Sequence, residues 1–312
     1  MDPVQFFASS RVLIVAGKGG VGKSTASATL ALAAARTGLS VLLVEVAGRS
    51  ATAPMFGADV QGYEATTIYD EADGGSVATR SITPDRALVE WLANHGFKAI
   101  AKRMAKSGLL EIVATATPGI KDLLVLGRIK ALEQDRDVDL IIVDAPAAGH
   151  AVQFLQAAVG VKEAARSGVL NRQAVEVLDM LHDPARCRAM LVSIPEETPI
   201  NELIETAFAI EDEVGLALGP VVVNGILPTV DGLDEDPPAS LTDGERDDLR
   251  LAADLRRDRA TLQGEQLDRL GVQLPLAQIT LPQLFAAQLG PDELAELADA
   301  ALASIDALED WA

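Results

Sequence analysis

Only one cysteine, Cys187, occurs in the 312 residues, which excludes an internal disulfide, a cysteine-held zinc cluster and a CxxC redox pair within one chain. A lone thiol of this kind reads as a small buried hydrophobe. Aromatic residues are scarce as well, at 4% against 49% apolar overall. The core must therefore be built from Ala, Val, Leu and Ile, which suits helices packed on a parallel sheet and not a β-sandwich. Positive charge is also in short supply: 26 Lys and Arg face 46 Asp and Glu, a formal net charge of -20. Such a surface repels the phosphates of nucleic acid and the anionic face of a membrane, so no nucleic-acid partner is expected. Long apolar runs are missing. Met1 to Phe7 lacks the basic segment of a secretory signal. The Ala-rich run after Ser24 is interrupted by Ser27 and Thr29 and ends at Arg36, too short to span a bilayer. The expectation is a soluble, cytoplasmic protein without stable membrane insertion.

What is present is a series of short β-branched runs that read as buried strands: Val12 to Ala16, Val41 to Val46, Leu140 to Asp144, Ala189 to Ile194, Val221 to Asn224 and Leu276 to Leu281. Helical patterns alternate with them. Thr25 to Arg36 is Ala- and Leu-rich with Gly38 placed to end it, so strand, Gly-rich turn, helix and strand follow one another within the first 46 residues as a βαβ unit. The chain reads as a single domain, 1–312, with an α/β fold: a doubly wound, mostly parallel sheet with helices on both faces. Helical additions are expected over about 86–133 and 153–181, and an acidic, solvated loop over about 231–248. Leu249 to Leu270 mixes Asp, Glu and Arg on a Leu-bearing helix, which suits a salt-bridged surface helix.

The chemistry sits in Gly17-Lys18-Gly19-Gly20-Val21-Gly22-Lys23-Ser24, which fits G-x-x-x-x-G-K-[ST] between an apolar strand and an Ala-rich helix. Glycines allow the backbone to curl so that successive N–H groups face one concavity, and the helix beginning near Ser24 adds its positive end. A polyphosphate fits such a cradle. Lys23 is placed to neutralise the β- and γ-phosphates of ATP, Ser24 to ligate Mg²⁺, and Thr25 to reach the α-phosphate. Asp144 ends the run Leu140-Ile141-Ile142-Val143, so its carboxylate emerges at the edge where doubly wound sheets bind ligands, as the acid that reaches Mg²⁺ through water.

Three segments resemble the arsenical-pump and tail-anchored-protein-targeting ATPases, a family of deviant Walker A P-loop proteins. The loop carries an extra lysine, Lys18; Asp144-Ala145-Pro146-Ala147-Ala148-Gly149-His150 resembles the family's second switch; and Val223-Asn224 followed by Leu227-Pro228 resembles its adenine-site segment. Pro118-Gly119, Pro195-Glu196-Glu197 and Leu281-Pro282 extend the likeness in order along the chain. The resemblance implies a dimer, homomeric or formed with a paralogous ATPase, in which Lys18 reaches the partner's nucleotide, Asn224 bonds adenine, and Pro282 lies in the nucleotide site. It also implies a possible hydrophobic protein client on the helical additions.

Two departures shape the functional expectation. Where the family places a catalytic Asp after the second strand, this chain reads Glu45-Val46-Ala47-Gly48-Arg49-Ser50, so Ala47 stands at that position and Glu45 is the nearest carboxylate. Groups that position water or stabilise the transition state are each worth about 10³-fold or more, so turnover is expected to be weak or to use another group. The single Cys187 cannot form a three-thiol arsenite site or a zinc-bridged dimer. The leading reading is an ATP-hydrolysing dimeric switch handling a protein client; the alternative is a nucleotide-binding regulatory subunit paired with a catalytic paralogue. Arg49 reads as either a phosphate-facing finger or a surface ion pair, and His150 as either a γ-phosphate sensor or a helix-entry residue. His95 and His182 are expected to be solvated or locally hydrogen-bonded.

Overall fold

Alternate residues of β1 (Val12–Gly17) enter two different apolar clusters: Val12, Ile14 and Ala16 face one, Leu13 and Val15 the other. A strand buried on both faces belongs at the centre of a covered parallel sheet. The computed structural model describes residues 1–46, 51–59, 62–71, 74–94, 96, 98, 119–146 and 148–309. In it β1 is joined by β2 (Ser40–Val46), β3 (Thr66–Asp70), β4 (Ser76–Ile82), β5 (Leu140–Asp144), β6 (Cys187–Ser193), β7 (Val221–Ile226) and β8 (Gln278–Pro282). The order across the eight-stranded sheet is β3-β4-β2-β5-β1-β6-β7-β8, with β3–β4 antiparallel and the other pairs parallel.

Helices cover both faces, as expected of a doubly wound α/β fold. On one lie α1 (Pro3–Ala8), α2 (Lys23–Arg36) and, last in the chain, a helix over Pro291–Asp306. Helix α2 is buried almost all round, and its Ala26, Ala28, Ala31 and Ala33 to Ala35 let it approach the strands closely. Alanine is also the strongest helix former, so this run needs no aromatic ballast. On the other face lie α3 (Pro84–Asn94), α4 (Ile120–Asp135), α5 (Ala148–Ala164), α6 (Val169–Leu181) and α7 (Glu197–Ala209), packed around Leu126, Ile129, Phe154 and Leu178. Helix α8 (Asp243–Gln273) buries only Leu270 fully, and α9 is the Pro291–Asp306 helix.

Chain order reverses about β1: β2 lies beyond β5 on one side, and β6, β7 and β8 follow on the other. The turn after β1 therefore opens at the topological switch point, over the C-terminal ends of the strands. Among the described residues, no helix is long and apolar enough to cross a membrane.

Two local features differ from the sequence reading. The β3–β4 hairpin was not anticipated, because Thr66 to Asp70 is a largely exposed edge and Ser76 to Ile82 interleaves polar residues that include buried Arg80. Helix α8 begins at Asp243 and not at Leu249, because Thr242 and Glu245 form a reciprocal capping box within the acidic stretch. The expected acidic loop is thus non-helical over 231–242 and helical from 243.

Close layer packing is tested at Gly75, where an added Cβ would lie 1.8 Å from the Ala35 carbonyl oxygen at the end of α2. Gly75→Ala is expected to lower stability by about 1–3 kcal/mol in urea unfolding. An unchanged midpoint would mean that the two layers have room to separate.

Candidate functional site

The loop from Gly17 to Ser24 passes through a space that admits no side chains at two of its glycines. A Cβ on Gly17 would come within 2.3 Å of the Val192 carbonyl oxygen on β6, and one on Gly22 within 2.2 Å of Asn224 Nδ2. Gly20 and Gly22 also hold left-handed backbone, with φ of 91° and 88°, a region that other residues reach at a cost. Gly22 is the N-cap of α2, and no side chain caps that helix end. Its first-turn amides thus keep their capacity for an anion.

Two neighbours secure the loop. Lys23 Nζ donates to the Lys18 carbonyl at 3.1 Å, closing the turn on itself. Asn224 Nδ2 donates to the Val21 carbonyl at 3.0 Å, tying the loop to the end of β7. Gly19 and Gly20 are exposed, Val21 is buried, and Thr25 is half-buried in the first turn of α2. Pro282 closes β8 beside Ile226, two residues beyond Asn224.

Ser24 Oγ donates to Asp144 Oδ2 at 2.6 Å, joining the first turn of α2 to the end of β5. The other carboxylate oxygen, Oδ1, and Ser27 Oγ are both buried, and neither makes a close hydrogen bond. Burial pushes the Asp144 carboxyl above its usual range, against the Ser24 hydrogen bond, the Lys23 charge and the nearby Ser27 hydroxyl. Burial likewise lowers Lys23, against the attraction of Asp144. A hydroxyl, a carboxylate with one oxygen free of close hydrogen bonds and a phosphate cradle are the donor set by which Mg²⁺ is commonly held, with water and phosphate completing its shell. Among the described residues no group of three or more His, Cys, Asp or Glu side chains is placed to hold a metal ion.

Glu45 and Asp144 are register partners on adjacent parallel strands, so both side chains leave the same face. Glu45 is only 3% exposed. Its Oε1 accepts from Ala51 N at 2.8 Å, Thr52 N at 2.9 Å and Thr52 Oγ1 at 2.9 Å. Burial raises its carboxyl, the Thr52 and Ala51 hydrogen bonds oppose that rise, and the Asp144 charge adds to it. Glu45 therefore anchors the chain that follows the altered first switch. Ala47, Gly48, Arg49 and Ser50 lie outside the described residues, as do His95, Met104, Pro118, Ala147 and Trp311.

Lys18 points back to its own chain: its Nζ lies 2.5 Å from Glu202 Oε1 on α7, with both side chains more than a third exposed. Glu202 carries no sequence signal, since only the fold brings α7 to the loop. His150 is exposed in the first turn of α5. His182 lies 2.9 Å from the Val214 carbonyl, locally hydrogen-bonded as expected. Cys187 is fully buried and its thiol is pushed well above the usual range by that burial, in keeping with an inert core residue.

Comparison with known proteins follows the same lines. The family model described as anion-transporting ATPase matches residues 10–178. ATPase BagA of Mycobacterium tuberculosis is 35% identical over 246 residues, covering 76% of this chain and 71% of that protein. A protein of Halobacterium salinarum whose name describes an arsenical pump-driving ATPase is 26% identical over 236 residues, 70% of this chain and 36% of its own length. ATPase get3 of Neurospora crassa is 31% identical over 150 residues, 47% of this chain and 43% of its own length.

The buried carboxylate gives a test that needs no ligand. The Asp144 carboxyl titrates higher in the folded chain than its ordinary 3.8. The folded state then binds that proton more tightly, so this group's contribution to stability falls as pH rises from 3.8 through the folded value. Above that interval the full cost is present. Asp144→Asn is expected to melt at a higher temperature than wild type at neutral pH, with the gap closing in acid. A variant that melts lower at neutral pH would mean that the carboxylate's contacts outweigh its burial.

Proposed function

Since this chain belongs to the anion-transporting ATPase family, we propose that it is a dimeric, ATP-hydrolysing switch whose nucleotide is held at the Gly17 to Ser24 loop. The observation that carries this reading is the Ser24–Asp144 pair, whose Asp144 Oδ1 makes no close hydrogen bond, placed beside an uncapped helix N-terminus. Main-chain amides of Gly19, Gly20, Val21 and Gly22 with those of Lys23, Ser24 and Thr25 would bind the phosphates, with the Lys23 ammonium set against their charge. Ser24 and, through water, Asp144 would hold Mg²⁺, which supplies charge neutralisation at the phosphates when bound.

The chain's own residues supply the switch. Lys18, released from Glu202, is free to reach across to a partner's nucleotide, and Asp144 lies only a few residues before the start of α5 at Ala148. Glu45 keeps Ala51 and Thr52 in place through its hydrogen bonds to their amides. A hydrophobic protein client is favoured over arsenite because the single thiol is buried and so offers no soft-anion site. The sequence pattern Glu45-Val46-Ala47 favours a second reading, a nucleotide-binding subunit with weak hydrolysis that pairs with a catalytic paralogue.

Steady-state phosphate release separates the two. Wild type with measurable turnover that is lost in Lys18→Ala supports the interface ATPase. An inactive wild type whose rate rises by about tenfold or more in Ala47→Asp supports the regulatory subunit. Lys23→Ala is expected to be inactive in either case, and turnover in that variant would overturn the assignment of the loop.

The resting position of Lys18 gives a further test. Glu202→Gln removes its charged partner, so ATP-dependent dimerisation, followed by light scattering, is expected at up to about fivefold lower nucleotide concentration, the scale of an exposed ion pair. A variant with an unchanged midpoint would show that Glu202 does not restrain Lys18.

A further inference from the structure

Between Asn224 and Pro228 the chain leaves the regular ladder. The β7–β8 register slips between Val223 and Ile226, and Gly225 adopts a left-handed φ of 77°. Main-chain groups that lose strand partners in a half-buried turn need others. One side chain from α8 supplies two: Gln263 Oε1 accepts from Leu227 N at 2.9 Å, and Gln263 Nε2 donates to the Gly225 carbonyl at 3.1 Å. The primary amide thus stands in for a peptide unit, clamping both limbs of the turn. The same turn begins with Asn224, whose amide nitrogen holds the Val21 carbonyl of the phosphate loop.

Beside this clamp lies a cleft of about 430 Å³ over the ends of β6 and β7. Ile194, Pro195, Leu227 and Leu262 give it apolar lining, and Glu196, Arg259, Gln263 and Gln283 give it polar groups. A concave site of mixed apolar and polar lining suits a heteroaromatic ring. Leu262 and Arg259 come from α8, a helix otherwise mostly solvent-exposed, which gives its C-terminal half a reason to dock here.

We infer that Gln263 is the positioning residue of a purine-base cleft, holding the 225–227 turn so that Asn224 and the apolar walls keep their place relative to the phosphate loop. The inference rests on the nucleotide-binding reading above, and adds to it α8 as the element that sets base selectivity. Because Gln263 touches neither the loop nor its lysine and reaches the loop only through Asn224, its loss weakens base recognition more than it weakens the phosphate cradle.

The test compares ATP, GTP and inorganic tripolyphosphate, which has no base, by competition against a fluorescent ATP analogue on wild type, Gln263→Ala and Gln263→Glu. Melting of the nucleotide-free proteins is followed in parallel. Wild type is expected to prefer ATP to both competitors. In Gln263→Ala, ATP affinity falls by about tenfold, the loss expected when hydrogen bonds that order a site are removed. Its ATP-to-GTP preference shrinks, and its tripolyphosphate affinity falls clearly less than its ATP affinity. Gln263→Glu keeps the acceptor for Leu227 N and loses the donor to Gly225, so it falls between the two.

Equal loss of ATP and tripolyphosphate binding would overturn the inference by showing a general structural role. So would a Gln263→Ala variant with wild-type ATP affinity and preference. A wild type that binds tripolyphosphate as tightly as ATP sinks the base cleft alone, whereas one that binds neither sinks the nucleotide-binding reading itself.

Discussion

The hydrogen bond from Ser24 Oγ to Asp144 Oδ2 joins the first turn of the central helix to the end of a central strand, in a place where the carboxylate has lost most of its water. The geometry around it follows from keeping that charge usable. Lys23 stands close enough to oppose its desolvation, and Ser24 occupies one oxygen while the other remains without a close hydrogen bond. A buried carboxylate left half-satisfied is expensive in a protein built only to be stable. It is intelligible on the proposed reading, in which a hydrated cation would complete it. The surrounding α/β sheet supplies the rigidity: β1 and β5 are paired along four residues, so the loop and the acid cannot drift apart independently.

The conformation of the Gly17 to Ser24 loop was readable from sequence because it rests on backbone requirements, and these leave a residue signature. Gly17 and Gly22 are excluded from having side chains by approaches of 2.3 and 2.2 Å, and Gly20 and Gly22 also need left-handed φ. The strands around the site were legible for a related reason: buried on both faces, they are continuous apolar runs. The β3–β4 hairpin lies at the sheet edge, where exposed threonines and a buried arginine erase that contrast. Its antiparallel pairing is a property of position and not of composition.

Contacts made across long sequence separation were the least legible. Lys18 was assigned a partner's nucleotide by resemblance, whereas the isolated chain places it against Glu202, 184 residues away. Asn224 was assigned to the base, and the structure engages its amide nitrogen on the Val21 carbonyl. Glu45 stood out only as the nearest carboxylate to Ala47. Its three hydrogen bonds to Ala51 and Thr52 could not be read from a sequence in which those residues look like ordinary loop. None of these side chains lies within a local motif with its partner. The family resemblance had no means of fixing which tether each side chain holds within the single chain.

The relative strengths of these tethers decide which parts of the site are able to move. The Lys18–Glu202 pair is more than a third exposed on both sides, and such pairs contribute about 0.2–1 kcal/mol, within reach of a modest competing charge. Glu45 makes three charge-assisted bonds in a position 3% exposed, and each bond of that kind contributes about 1.5–3 kcal/mol. Breaking them would also leave a buried carboxylate without donors. On the proposed reading, a partner's bound phosphate would therefore be able to draw Lys18 from Glu202, exchanging one exposed anion for a larger one. It lacks the means to pull residues 51–52 away from Glu45. The same hierarchy applies at the other end of the site, where Asn224 is held to the loop by a single neutral bond while Gln263 grips its turn by two. Of these contacts the Lys18–Glu202 pair is thus the most readily exchanged, with Glu45 and Gln263 holding their neighbours more firmly on either side.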